Sequence, residues 1–128
     1  MIRALVVEDD QIVIEVICEI LQIGNIDVVG RGSNGKEAVE LFHKLKPDIV
    51  ILDVMMPKYD GFYALQKIRQ YSPLAKVIMV TADLTYETEK KLKELKASAI
   101  AYKPYDVDTL IETILQVNQG EQTCSANL

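Results

Sequence analysis

The chain has 128 residues, 49% of them hydrophobic and 26% charged, with a formal net charge of −5. One domain of that length can bury a core of its own, and the acidic balance excludes nonspecific attachment to nucleic acid or an anionic membrane. No apolar stretch is long enough to span a bilayer, and the N-terminus MIRALVVEDD lacks the pattern of a secretory signal.

Short β-branched runs alternate with helical patterns from the start. A strand is expected over residues 2–7, running into the acids Glu8, Asp9 and Asp10. A helix over 11–23 follows, then a strand over 28–31 and a helix over 35–45. The continuously apolar IVIL at 49–52 reads as a strand buried on both faces and ends at Asp53. Pro57 and Gly61 shape the turn into a helix over 61–71. The run at 76–80, containing VIMV, is a second buried strand and ends at Thr81. A charge-rich helix is expected over 85–96, its run YETEKKLKELK forming an outer face. The last strand, 99–102, is followed by Lys103 and Pro104, and the last helix covers 107–118. Residues 119–128 lack periodicity and are expected to form a tail, leaving 1–118 as the domain. Five strands and five helices in this order imply right-handed crossovers and a five-stranded parallel sheet covered on both faces, an α/β fold.

In an open parallel sheet, ligands bind outside the carboxyl ends of the strands. Glu8 and Asp9, Asp53, Thr81 and Lys103 all fall at such ends, on four different strands. Any one of them alone is explained by a helix cap or a solvated loop; four together point to a site. The acids come without His or Cys, so a hard cation such as Mg²⁺ suits them better than zinc. Asp53, projecting from a buried strand, is the candidate nucleophile toward a phosphoryl group and would form an acyl phosphate. Thr81 can donate a hydrogen bond to a phosphoryl oxygen and Lys103 supplies positive charge.

EDD after the first strand, DVMMPKYDG at 53–61, TAD at 81–83 and KP at 103–104 together resemble the receiver domain of bacterial two-component response regulators. The resemblance covers the chain apart from its tail. It implies the flavodoxin-like strand order 2-1-3-4-5. It makes Asp53 the phospho-acceptor and Asp9 a direct Mg²⁺ ligand, with Glu8 acting largely through water and the Met55 backbone carbonyl completing the protein's share of the shell. Thr81 and Lys103 take the phosphate-sensing roles, and the Lys103–Pro104 peptide is expected to be cis. The implied partner is a histidine kinase or histidine phosphotransfer protein in the cytoplasm. Phosphorylation would switch a surface of the fourth helix, fifth strand and fifth helix toward a downstream protein, directly or by phosphorelay. Such a protein is a signalling phospho-acceptor that assists its own phosphorylation and dephosphorylation, and not an enzyme in the usual sense.

Many receivers carry an aromatic residue three places before the lysine; here that place is Ile100. Tyr102 precedes Lys103 directly, and strand alternation turns it away from the lysine, which argues against a simple replacement. Backbone motion after Thr81, a contribution from Tyr105, or altered output are the remaining routes. Met55 and Asp83 flank the acceptor: Met55 cannot orient water, whereas Asp83 can either align it or repel the anion. The first helix is apolar beyond a single stripe, and Ile14 and Cys18 are expected at the margin of its buried face, forming a docking patch for a helical phosphodonor. The alternative is a wide core face. His43, Asp48 and Asp60 are expected to be structural or solvated, and Cys18 and Cys124 to be reduced thiols. An excised receiver of a DNA-binding regulator is a second possibility. An Asp- and Mg²⁺-dependent phosphatase is less favoured, because it wants a second Asp where Met55 stands. A flavodoxin-like cofactor binder would want a Gly- or hydroxyl-rich loop where EDDQ stands.

Overall fold

The computed structural model of the protein describes residues 1–120. Its strands are β1 (Arg3–Val7), β2 (Asp27–Gly32), β3 (Ile49–Asp53), β4 (Val77–Thr81) and β5 (Ala99–Tyr102). Its helices are α1 (Gln11–Ile23), α2 (Gly35–Leu45), α3 (Gly61–Tyr71), α4 (Tyr86–Glu94) and α5 (Val107–Asn118), and the two kinds alternate along the chain. Every strand pairing is parallel and the order is β2-β1-β3-β4-β5, as expected. Residues 121–128, most of the expected tail and Cys124 with it, lie outside the described residues.

Alternation along the strands divides the core in two. Val6, Ile51, Val80 and Ala101 face one side, where α1 and α5 supply Ile17, Leu21, Leu110 and Ile114. Val7, Leu52, Met79 and Ile100 face the other, packed by Ala64, Leu65 and Ile68 of α3 and by Leu92 of α4. Continuously apolar strands follow directly, since both faces of the sheet are dry.

Each helix opens on a polar cap whose side chain accepts backbone N–H groups: Asp10, Asn34, Asp60, Thr85 and Asp106. Two expectations change here. Asp60 is not merely solvated but caps α3, accepting from the Tyr63 N–H at 2.9 Å. The fourth helix is shorter than the pattern suggests, because Thr85 is its extended cap and Lys96 lies in the left-handed region at φ 63°. Asp48 accepts the Arg3 N–H at 2.8 Å, and half-buried His43 stacks edge-on against Tyr71 with ring centroids 4.0 Å apart.

The expected docking patch on α1 is corrected. Ile14 is 3% exposed and Cys18 7%, so both belong to the core. Gly24, just after α1, packs close to Ile111 of α5, and α1 and α5 bury their side chains in one cluster on the same face of the sheet. The buried arc is therefore wide enough to take in positions 14 and 18. The apolar excess emerges instead at Ile12, Val16 and Ile23.

Candidate functional site

The carboxyl ends of β1, β3, β4 and β5 enclose a crevice of about 520 Å³ lined by Glu8, Asp9, Asp53, Met55, Asp83 and Lys103, among others. Asp53 is the last residue of β3, all of which is buried, and is itself 6% exposed. Its backbone is wedged by Gly61: a Cβ there would strike the Asp53 carbonyl oxygen and crowd Val54 Cα. Gly61 also donates its N–H to the Val54 carbonyl at 2.8 Å. Gly35, at the start of α2, grips the same loop from the other side. It donates to the Tyr59 carbonyl at 2.6 Å, and a Cβ there would meet the Asp60 carbonyl oxygen. No side chain fits at either contact.

Glu8 is buried where β1 ends. One of its oxygens accepts the Asp10 N–H at 3.1 Å and the other accepts from Lys103 Nζ at 3.1 Å. Lys103 Nζ also lies 3.2 Å from Asp53 Oδ1, so one ammonium bridges two carboxylates from different strands. Asp9, exposed at the rim, completes a triad. One carboxylate oxygen each from Glu8, Asp9 and Asp53 falls within 4.8 Å of the others. Asp10 is committed elsewhere, accepting the Ile12 N–H at 2.9 Å as the cap of α1. The run of three acids is thus two site residues and one cap. The Lys103–Pro104 peptide is cis, as expected.

Burial raises the carboxyl of Asp53 above its ordinary value; the Lys103 charge opposes this and Asp9 adds to it. Burial likewise raises Glu8, against the Asp10 N–H and with help from Asp9 and Asp53. Burial works against the charged form of Lys103, but Asp53 and Glu8 outweigh it and hold the ammonium above its ordinary value. Two carboxylates kept this close and this dry store repulsion that one lysine only partly offsets. An all-oxygen donor set of that kind fits a hard divalent cation.

Thr81 is buried at the end of β4, and its hydroxyl oxygen accepts the Asp83 N–H at 3.0 Å. Asp83 does not lean over the crevice as a free anion. Its carboxylate accepts the Thr85 N–H at 2.9 Å and the Thr88 hydroxyl at 2.7 Å, and these bonds hold its carboxyl below the ordinary range. Neither of the two roles expected for Asp83 accounts for that engagement. The D-L-T-x-x-T spacing, in which a side chain can satisfy the N–H two residues on, is the signal that could have found it.

Ile100 and Tyr102 are two residues apart on one strand, and both pack on the α3/α4 side of the sheet. Alternation therefore places Tyr102 on the same face as the expected aromatic position. Its hydroxyl donates to Glu89 on α4 at 2.9 Å. Tyr105, the other nearby aromatic, packs against the opposite core, on the α1/α5 side.

A family profile described as the response regulator receiver domain matches residues 4–115. The chain belongs to that family. Among curated relatives it is similar to the protein CcdB of Bacillus subtilis, 36% identical over 117 residues, covering 91% of this chain and 98% of that protein. It is also 35% identical to the chemotaxis protein CheY of Listeria monocytogenes, over 89% of this chain and 96% of the relative. Among solved structures, the CheX–CheY–BeF3–Mg²⁺ complex from Borrelia burgdorferi matches with a TM-score of 0.85 at 27% identity, covering 91% of this chain and 88% of that one. As a receiver, the protein is a two-component signalling domain. The flavodoxin-type cofactor binder and the phosphatase are set aside by this membership. Among the described residues, no helix is long and apolar enough to cross a membrane.

Proposed function

We propose that this receiver accepts a phosphoryl group on Asp53 from a phosphohistidine of a histidine kinase or phosphotransfer protein. The observation that carries the proposal is the buried Asp53 carboxylate at the end of β3, 3.2 Å from the Lys103 ammonium and clustered with Glu8 and Asp9. An Asp53 oxygen forms the new O–P bond as the P–N bond to the donor imidazole breaks. The imidazole leaves with the bonding electron pair and takes up a proton. Lys103 already stands beside the attacking carboxylate, where it can stay to balance the charge of the acquired group. The Thr81 hydroxyl proton is free to be donated to a phosphoryl oxygen, since its oxygen is held by the Asp83 N–H.

Glu8, Asp9, Asp53 and the Met55 carbonyl are the groups that would hold Mg²⁺; a bound divalent cation supplies positive charge to the crowded carboxylates and to the transferring oxygens. The complex from Borrelia burgdorferi, which includes a CheY with BeF3 and Mg²⁺, supports that assignment. Ile12 and Val16, exposed on α1, whose first turn borders the crevice at Val13, are the docking surface for the donor, in place of Ile14 and Cys18. Output passes to a downstream protein through the face of α4, β5 and α5, in the cytoplasm.

Intact-protein mass after incubation with a small phosphodonor, with and without Mg²⁺, tests the chemistry on wild type and Asp53→Asn. A Mg²⁺-dependent phosphoryl adduct absent from the variant is expected. A folded wild type that acquires no adduct, or a variant that still does, overturns the assignment. Ile12→Glu should slow transfer from the cognate donor about tenfold while leaving phosphorylation by the small donor unchanged; equal rates with both donors would remove α1 as the docking face.

A further inference from the structure

α4 is the most weakly anchored helix of the fold. Of its nine residues only Leu92 is buried, whereas α1 buries five of its thirteen. Its other attachments include polar and cationic contacts: the Thr88 hydroxyl on Asp83, the Lys91 ammonium 4.3 Å from the centre of the Phe62 ring, and Glu89 to Tyr102. A helix with so little buried apolar surface has its position set by a few such contacts.

Tyr102 joins that helix to the crevice through short, stiff links. In the β4–β5 ladder its register partner is Thr81, and the next residue, Lys103, donates its N–H to the Thr81 carbonyl at 2.8 Å. Lys103 Nζ is the group beside Asp53. On its other side, the half-buried Tyr102 packs on the same core as Leu92 and sends its hydroxyl to Glu89 Oε2. Glu89 Oε1 is held by Lys93 one turn along at 2.8 Å, so the carboxylate is fixed from within α4 while it accepts from β5. A hydrogen bond weakens steeply once donor and acceptor part by half an ångström or lose alignment. A small adjustment of Thr81 and Lys103 around a new phosphoryl group therefore reaches this bond before any other contact of α4 with β5 described above.

We propose that Tyr102 and Glu89 are a positioning pair that reports the occupancy of Asp53 to α4. The hydrogen bond holds α4 against the end of β5 in the unphosphorylated protein and yields or shifts when Thr81 and Lys103 engage the phosphoryl group. Neither residue touches the phosphoryl group itself. The proposal rests on Asp53 being the acceptor.

The test measures hydrogen exchange of the α4 amides in free protein and in protein phosphorylated with a small donor and Mg²⁺, the adduct being verified by mass. In wild type, α4 exchange should change on phosphorylation. In Tyr102→Phe, which keeps the ring and removes one hydroxyl, α4 of the free protein should exchange about fivefold faster, as loss of one ordinary hydrogen bond implies. The difference between free and phosphorylated forms should then largely vanish, with the rate of adduct formation unchanged within about twofold. Glu89→Ala should behave alike, whereas Glu89→Gln, which keeps an oxygen to accept from Tyr102, should retain most of the difference. A full wild-type difference in Tyr102→Phe overturns the pair, and so does faster exchange by the same factor in both forms, which would mark the bond as merely structural. Absence of any adduct in wild type fails earlier and differently, removing the acceptor assignment on which the pair depends.

Discussion

α1 and α4 lie on opposite faces of the sheet and belong to two kinds of structure. α1 starts at the acids of the crevice, buries Ile14, Ile17, Cys18, Ile20 and Leu21, and packs beside α5 on one face of the sheet. α4 starts just beyond Thr81, buries Leu92 alone, and is otherwise a charged helix. Chemistry that depends on carboxylates held a few ångströms apart needs the first kind, because its geometry is enforced by packing that cannot relax. A readout needs the second kind, because an element held by few contacts can adopt another position at small cost.

The difference is open to a matched pair of truncations. Leu21 and Leu92 are both fully buried. Leu21→Ala should cost about 4 kcal/mol of global stability in urea unfolding, with an unchanged dependence on denaturant. Leu92→Ala should cost only about 2 kcal/mol, the low end for such a change, because the unpinned helix can settle toward the sheet. It should also raise hydrogen exchange in α4 selectively. Equal losses with no local effect would break the contrast. Gly61→Ala falls between the two. The new Cβ meets backbone and not a yielding side chain, so a loss of about 3 kcal/mol is expected, together with much slower adduct formation at Asp53.

A smaller effect sharpens the account of the crevice. Asp53 ionised in a dry site beside Glu8 and Asp9 costs stability at neutral pH, because a carboxyl raised by burial favours folding only in its protonated form. Asp53→Asn should therefore raise the melting temperature in the absence of divalent ions, by about 3 °C. Added Mg²⁺ should stabilise wild type more than this variant. A variant that melts lower without metal would show that the bond to Lys103 outweighs the desolvation. The smallest effect expected is an acid loosening of α4. Hydrogen bonds from Lys93 and Tyr102 lower Glu89, and those from Thr88 and Thr85 lower Asp83. Groups lowered in this way contribute stability above the ordinary carboxylate range and lose it as pH falls through their lowered values. Protection of the α4 amides, taken relative to their intrinsic exchange rate at each pH, should fall on acidification before that of α1 does; simultaneous loosening would contradict it.

Much of this was legible in the sequence because the signals are local or repeat along the chain. Apolar strands such as IVIL and VIMV, and polar residues at the ends of four of the five strands, point to the sheet and to one crevice holding Glu8, Asp9, Asp53 and Lys103. What was not legible depends on a neighbour far away in sequence. α1 is apolar almost all round, so its pattern does not say which side α5 covers and leaves Ile14 and Cys18 open between a docking patch and the wide core face to which they belong. The bond between Tyr102 and Glu89 joins a strand to a helix across thirteen residues and leaves no mark in periodicity. Asp83 was different: its partners Thr85 and Thr88 stand in the very next turn.

The two glycines that clamp the loop after Asp53 also bear on how such a domain can diverge. Gly35 and Gly61 face backbone atoms that cannot retreat, so neither position can acquire a side chain without displacing the loop between Asp53 and α3. The outward residues of α4, such as Tyr86, Glu87 and Lys90, touch solvent and are free to change. Drift is thereby steered toward the surface that a partner would recognise and away from the seat of Asp53, so a descendant can exchange one partner for another while inheriting the acceptor site intact.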